Sequence, residues 1–104
     1  MIGTLHLGSV TLKDIRLLPT SAPKATGTPV PGHVLSTTNG TWNKPGVTFT
    51  YHWLRNGAPI RNATHKTYVV RTQDVGSRVR ATVIAHLPGW YDGSALSNAL
   101  LVHQ

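Results

Sequence analysis

The sequence predicts an all-β domain, and three observations carry that prediction. Apolar and polar residues alternate along several stretches, most clearly over residues 77–86, as in strands that bury one face. Turn signals recur about every 8 to 12 residues, which is typical of a β-sandwich. No stretch carries the roughly 3.6-residue periodicity of an amphipathic helix over three turns. We therefore expect a sandwich of short antiparallel strands.

The composition limits the chain to a single hydrophobic core. With 104 residues it is too short for two independent cores, and without cysteine it has neither a disulfide nor a thiolate site. Ten Lys and Arg against three Asp give a formal charge of +7, which predicts attraction to acidic surfaces. The cations are scattered rather than clustered, so specific nucleic-acid recognition is not expected.

Residues 1–18 are interpreted as a short β segment that serves as an attachment arm. Its apolar residues flank Gly8-Ser9, a pair that suits a type II′ turn. A two-stranded hairpin is marginal in water, so these side chains need cover, either from the chain's own domain or from a partner. The residues proposed for partner contact are Leu5, Leu7, Val10, Leu12, Ile15 and Leu17.

Residues 19–31 are interpreted as an extended linker that runs into an edge strand. The stretch is rich in Pro, Thr, Ser, Ala and Gly, and its prolines fix φ and withhold hydrogen-bond donors. We therefore place the main domain at residues 32–104.

Residues 48–57 predict the central strand of that domain and the turn that ends it. The alternation places Phe49, Tyr51 and Trp53 on one face, which we assign to the core. Burial of a Trp is worth roughly 4 to 6 kcal/mol, at about 25 cal/mol per Å². The following pair, Asn56-Gly57, predicts a type I′ hairpin because both of its residues tolerate positive φ.

The remaining strands follow from the same alternation. They are expected at residues 33–37, 58–60, 66–71, 77–86 and 95–102, with turns at 39–40, 43–46, 72–76, 88–89 and 92–93. Two of these strands complete the expected core with Tyr68, Val79 and Ala81. The last predicted strand, residues 95–102, completes the sheet.

These strands carry an ordered series of short motifs. Along the chain they are Gly40-Thr41-Trp42, Tyr51-His52-Trp53-Leu54-Arg55-Asn56-Gly57-Ala58-Pro59-Ile60, Ala63-Thr64, Thr67-Tyr68, Asp74-Val75-Gly76 and Pro88-Gly89-Trp90. Residues 25–102 thereby resemble the bacterial Ig-like repeat of actinobacterial surface and secreted proteins and of virion proteins of their phages. The resemblance implies an Ig-like β-sandwich without a disulfide. One position departs from the Ig pattern: Arg78 stands where a tyrosine corner is expected, so that corner must be held in another way.

The leading segment carries a second resemblance. The spacing of apolar residues over 7–17 resembles short β segments at the start of small head and tail accessory proteins of actinobacterial phages. This implies a structural virion protein, either a capsid decoration or a minor tail protein, present in several copies or as a homo-oligomer and bound to other virion proteins. No secretion signal is recognised, so the chain is expected to be made in the host cytoplasm and to end up in the virion. No membrane span is expected.

Catalysis, cofactors and a metal site are not expected. None of the six histidines pairs with another at a ligand spacing. A Ser-His-Asp set could be written with Asp74 or Asp92 and His86, but no nucleophile motif accompanies it.

Trp90 and Tyr91 leave two interpretations open. Loop aromatics such as these either plug the end of a sandwich or form a platform on which sugars stack, whereas Trp42 is expected to plug. The alternative function is therefore a carbohydrate- or cell-wall-binding module, or an adhesin repeat. The two functions are compatible, because a virion protein can also touch host-surface glycans weakly.

Overall fold

A computed structural model describes residues 15–104, which form an all-β structure and confirm the predicted fold class. The described strands are β1 (Pro19–Ser21), β2 (Ala25–Gly27), β3 (Val34–Thr37), β4 (Thr41–Trp42), β5 (Thr48–Arg55), β6 (Ala58–Pro59), β7 (Thr67–Val69), β8 (Arg78–His86), β9 (Gly93–Leu96) and β10 (Leu100–Leu101). A single 3₁₀ turn, Thr72–Asp74, connects β7 to β8 within this part of the chain.

Two antiparallel sheets contain most of the strands. One sheet has the order β10-β8-β5-β6, with β9 also paired to β8, and the other has the order β2-β3-β7. Strands β5 and β8 form the longest ladder, which runs from the pair Thr48–His86 to the pair Arg55–Val79. A separate two-stranded ribbon joins β1 to β4.

The hydrophobic core lies between the two sheets. Trp53 of β5 and Tyr68 of β7 stack across it, with ring centroids 5.7 Å apart. The buried cluster consists of Ala25, Leu35, Trp53, Ile60, Ala63, Tyr68, Val70, Val79, Ala81 and Val102. Because both sheets contribute to it, the arrangement is sandwich-like. Phe49 and Tyr51 share the inner face of β5 with Trp53 but are only half-buried.

The turn after β5 has the predicted geometry. Asn56 and Gly57 both adopt positive φ, at 49° and 86°, and Arg55 pairs directly with Ala58. A two-residue loop of this kind matches the twist of the strands that it joins. Strand β5 ends at Arg55 because the chain reverses direction at the next two residues.

The linker prediction for residues 19–31 is wrong. Strand β1 pairs with β4, strand β2 pairs with β3, and Ala25 is part of the core. The prolines permit this because Pro19 is the first residue of its strand and the others lie outside the paired residues. The domain therefore includes the whole described stretch from Ile15 onward, rather than starting at residue 32.

The closing strand is divided in two. Between β9 and β10, the Ser97 N–H donates to the Ala81 carbonyl, and the Ser97 hydroxyl accepts from the Ala81 N–H. The next side chain, Asn98, turns to the other sheet: its Oδ1 accepts from the Ala25 N–H at 2.7 Å, and its Nδ2 donates to the Ala25 carbonyl at 3.0 Å. The interruption thus ties β2 to the sheet that contains β8.

Candidate functional site

The end of the proposed attachment arm is packed into its own domain. Leu17 has no exposed surface, its N–H donates to the Tyr91 carbonyl, and its own carbonyl lies against Gly93. Ile15 is half-buried, and its carbonyl accepts from the Tyr91 N–H. Leu17 is therefore a core residue and not a partner contact, which corrects that part of the prediction. The arm residues Leu5, Leu7, Val10 and Leu12 lie outside the described residues.

The predicted aromatics Trp90 and Tyr91 lie in the turn between β8 and β9, next to residues 15–18. The Lys44 ammonium lies 4.9 Å from the centroid of the Trp90 ring, in a cation–π contact. Tyr91 is 51% exposed, and Leu18, which follows the segment bonded to Tyr91, is 49% exposed. We name Leu18, Lys44, Trp90 and Tyr91 the Trp90 surface.

Trp42 is adjacent to this surface but has a structural role. Its indole N–H donates to the Asn39 carbonyl at 2.8 Å, and its ring lies 6.2 Å from that of Phe49. The Asn39 side chain in turn accepts from the Tyr51 hydroxyl at 2.7 Å. Burial raises the pKa of Tyr51 more than this hydrogen bond lowers it. These contacts agree with the expectation that Trp42 plugs the sandwich.

The strongest electrostatic cluster surrounds Asp74. This carboxylate is completely buried and accepts from the Arg55 Nε at 2.6 Å, from the Tyr68 hydroxyl and from the Arg71 N–H at 2.8 Å. Burial favours a higher pKa for Asp74, but the hydrogen bonds from Tyr68, Arg71 and Arg55, with the Arg55 charge, outweigh it and lower the pKa. Burial and the Asp74 carboxylate raise the pKa of Tyr68 to about 12. Three donors thus converge on the Asp74 carboxylate, and the cluster links β5, β7 and the 3₁₀ turn.

A hydroxyl, an imidazole and a carboxylate line up on the outer face of β5 and β8. The Thr50 Oγ1 lies 2.8 Å from the His86 Nε2, and the His86 Nδ1 lies 3.1 Å from the Asp92 Oδ2. This is the order of a hydrolase triad. The Asp92 side chain is 59% exposed, however, and the nucleophile position is a secondary hydroxyl in mid-strand on an open sheet face. We interpret the set as a surface hydrogen-bond chain.

Two clefts accompany these features. One, of about 410 Å³, follows β7 and is lined by Asn62, Ala63, His65, Thr67, Tyr68, Val69 and Arg71. The other, of about 370 Å³, is lined by Val30, Pro31, Thr72, Val75 and Gln104. Within residues 15–104, no group of three potential metal ligands comes together and no helix is long and apolar enough to cross a membrane.

Sequence reasoning missed Asn39, Asn98 and the cleft along β7. The first two are single polar residues whose partners lie far away in the chain, so no local pattern marks them. The pairing of Arg55 with Asp74 had a signal, because both residues belong to the ordered series of short motifs in the sequence. Comparison of the chain with protein-family models, with curated proteins and with solved structures gives no match in any of the three.

Proposed function

We propose that this chain is a non-enzymatic structural protein of an actinobacterial phage virion, carrying an Ig-like domain that decorates the capsid or forms a minor part of the tail. The strand order supports the Ig-like part. Strands β2, β3 and β7 take the places of A, B and E, and β5, β8 and β9 with β10 take those of C, F and G.

One observation carries the proposal: the motif residues that are separated in sequence meet in space. Trp53 stacks on Tyr68, and Arg55 of the same motif pairs with Asp74 of the Asp-Val-Gly motif. Tyr68 also donates to Asp74, which closes the set. A series of motifs that forms one contact network is expected of an inherited domain pattern and not of a chance likeness.

The arm and the charge support the virion role. Residues 5–12 keep the alternation that suits strand addition to a neighbouring virion protein, with Leu5, Leu7, Val10 and Leu12 as the side chains that fill its pockets. A formal charge of +7 favours approach to an acidic particle surface. Several copies per particle are expected.

The test is a deletion that spares the packed residues. Removing residues 2–14 leaves Leu17 in place, so we expect an unchanged melting temperature and a loss of binding to purified phage particles. A control chain with a Gly/Ser segment of equal length in place of residues 2–14 should fail in the same way. Full particle binding by either chain would refute attachment through the arm.

The Trp90 surface supports a second candidate function, binding of cell-wall or other acidic glycans. The exposed Tyr91 follows Trp90 in the chain, and Lys44 lies over the Trp90 ring, so the surface offers aromatic rings for sugars and a cation for their acidic groups. We expect Tyr91→Ala and Trp90→Ala to abolish glycan-array binding without a change in melting temperature. Leu101→Ser, at an equally exposed apolar residue of β10, is the matched control. Equal binding by all three variants would exclude this surface.

A further inference from the structure

Strand β7 leaves one of its edges free. The Val70 N–H donates to the His33 carbonyl, and the Lys66 carbonyl accepts from the Thr37 N–H, so even-numbered residues of this stretch face β3. Backbone groups alternate between the two sides of an antiparallel strand. The N–H and C=O groups of Thr67 and Val69 therefore point away from β3, and no strand of residues 15–104 pairs with that side.

A preformed cleft runs along this free edge. It is the cleft of about 410 Å³ described above, with Tyr68 and Ala63 among its lining residues. Two hydrogen bonds hold the chain segment 61–65, which contributes Asn62, Ala63 and His65 to the lining. The Trp53 indole N–H donates to the His65 carbonyl at 2.8 Å, and the Arg71 guanidinium donates to the Arg61 carbonyl at 3.2 Å. The cleft thus borders an edge strand with unpaired backbone groups and an exposed apolar side chain, Val69, which is 55% exposed.

The charges around the cleft have one sign. Arg71 and His65 line it. Arg61 and Lys66 are the chain neighbours of the lining residues Asn62 and Thr67. Of the acids in the described part of the chain, Asp74 is buried and paired with Arg55, and Asp92 lies beside His86 at the far end of β8. An occupant with carboxylates would find cations and no exposed anion here.

We propose that the free edge of β7 binds an extended acidic segment of a partner protein by strand addition. The Thr67 and Val69 backbone groups would supply the ladder, Val69 an apolar contact, and Lys66, Arg61 and Arg71 the charge match. A second copy of this chain fits poorly. Antiparallel pairing of two β7 edges, with Thr67 of one copy opposite Val69 of the other, places Arg71 opposite His65 and brings the cations of both copies to one edge, where they repel each other. This inference is independent of the virion role.

Hydrogen exchange on the full chain tests the location. The probe is a synthetic eight-residue peptide of alternating Val and Glu, with two controls: the same peptide with Lys in place of Glu, and the same peptide with alternate backbone nitrogens methylated. We expect the acidic peptide alone to slow exchange of the Thr67 and Val69 amides, by about tenfold or more. Absence of protection there, or protection at the edges of β6 or β2 instead, would overturn the proposal.

Charge reversal tests the chemistry. Arg61→Glu with Lys66→Glu should weaken binding of the acidic peptide about tenfold at low salt. Arg16→Glu with Lys24→Glu has the same net charge, but neither residue lines the cleft, and this variant should bind within about twofold of the unaltered chain. Equal losses of peptide affinity in the two double variants would show that only the net charge matters, and would contradict binding at β7.

Backbone removal gives an independent variant. Val69→Pro deletes one outward N–H while leaving the groups that face β3, and should cost about tenfold in peptide affinity. Its melting temperature shows whether it folds; if it does not, the charge-reversal pair decides. A dimer of the unaltered chain whose Thr67 and Val69 amides are protected without peptide would assign this edge to self-association and refute the acidic partner.

Discussion

At the scale of single residues, Asp74 is a polar group that joins the two sheets. One carboxylate joins the end of β5, through Arg55, to β7, through Tyr68, and to its own turn, through the Arg71 N–H. A buried carboxylate is stable only when its oxygens are satisfied. Removal of the Asp74 carboxylate therefore breaks hydrogen bonds to both sheets at once.

We expect Asp74→Asn to lower the free energy of unfolding by about 3 kcal/mol, because it removes a buried charge whose partners remain. Urea unfolding measures the loss. Asp92→Asn is the control, since Asp92 is exposed and should change stability by no more than about 0.5 kcal/mol. Similar losses in both variants would show that burial at Asp74 does not matter.

The same cluster predicts how stability depends on pH. The pKa of Asp74 is lowered from 3.8, so its stabilisation is present above 3.8 and is lost as the pH falls through the lower folded value. The pKa of Tyr68 is raised from 10.0 to about 12, so its stabilisation is present below 10.0 and is lost as the pH rises toward 12. Urea unfolding across the pH range measures both slopes. Asp74→Asn should flatten the acid slope, and Tyr68→Phe most of the alkaline one.

Trp53 is the largest completely buried side chain, and it also donates to the His65 carbonyl. We expect Trp53→Ala to cost roughly 3 to 5 kcal/mol, which is comparable with the net stability of a small domain. Circular dichroism during denaturation measures the loss. Tyr91→Ala, at an exposed aromatic, should unfold like the unaltered chain, and a folded Trp53→Ala with full stability would contradict the core assignment.

At the scale of elements, alternation predicted the long strands whose two faces differ in exposure. It predicted β5 and β8 because their inward residues are less exposed than their outward ones over most of their eight and nine residues. It missed β1 and β2, which are three residues long and too short for a period of two to show. Their partners, such as Asn98 and Trp42, lie far away in the chain, so no local pattern marks the pairing. The proline-rich composition therefore predicted a linker instead.

The packing of residues 15–18 against the domain depends on a single glycine in β9, Gly93. A Cβ on Gly93 would collide with the Leu17 carbonyl and would lie 2.8 Å from the Trp42 ring. We expect Gly93→Ala to displace residues 15–18 and to speed hydrogen exchange of the Leu17 and Asn43 amides at least tenfold, while the β5–β8 ladder stays protected. Ser94→Ala, on the exposed face of the same strand, is the control. Unchanged exchange at Leu17 would show that the contact is soft.

At the scale of the whole molecule, the sequence predicted an all-β domain and two aromatics of the Trp90 surface, but neither the Lys44 contact nor the cleft beside β7. Strand periodicity and turns are local, and they suffice for an all-β domain. The Lys44 contact with Trp90 and the cleft beside β7 arise from chain segments that meet only after folding, which leaves no pattern in any short window. Burial of Leu17 was missed for the same reason, since its cover comes from residues 91–93.

Net charge acts at this largest scale. With a formal charge of +7, we expect binding to a polyanion such as heparin to weaken at least tenfold between about 50 and 200 mM salt. Polyglutamate of equal charge should behave alike, because dispersed cations respond to charge density. Retention on heparin chromatography measures the effect, and salt-insensitive binding would indicate a shaped site instead.

The parallel bridge between Arg16 and Tyr91 also determines how the domain would carry mechanical tension. A pull on the amino-terminal side enters at residues 15–17, where the hydrogen bonds with Tyr91 lie on either side of the bridge. Bonds arranged in this way are loaded together in shear, whereas a hairpin pulled from its open end breaks one bond at a time. Past that point the load reaches β1, which pairs with β4, and then Ala25, which the Asn98 side chain bonds to the opposite sheet. A particle protein tethered by its leading segment would thus resist drag at its attachment before its core is strained.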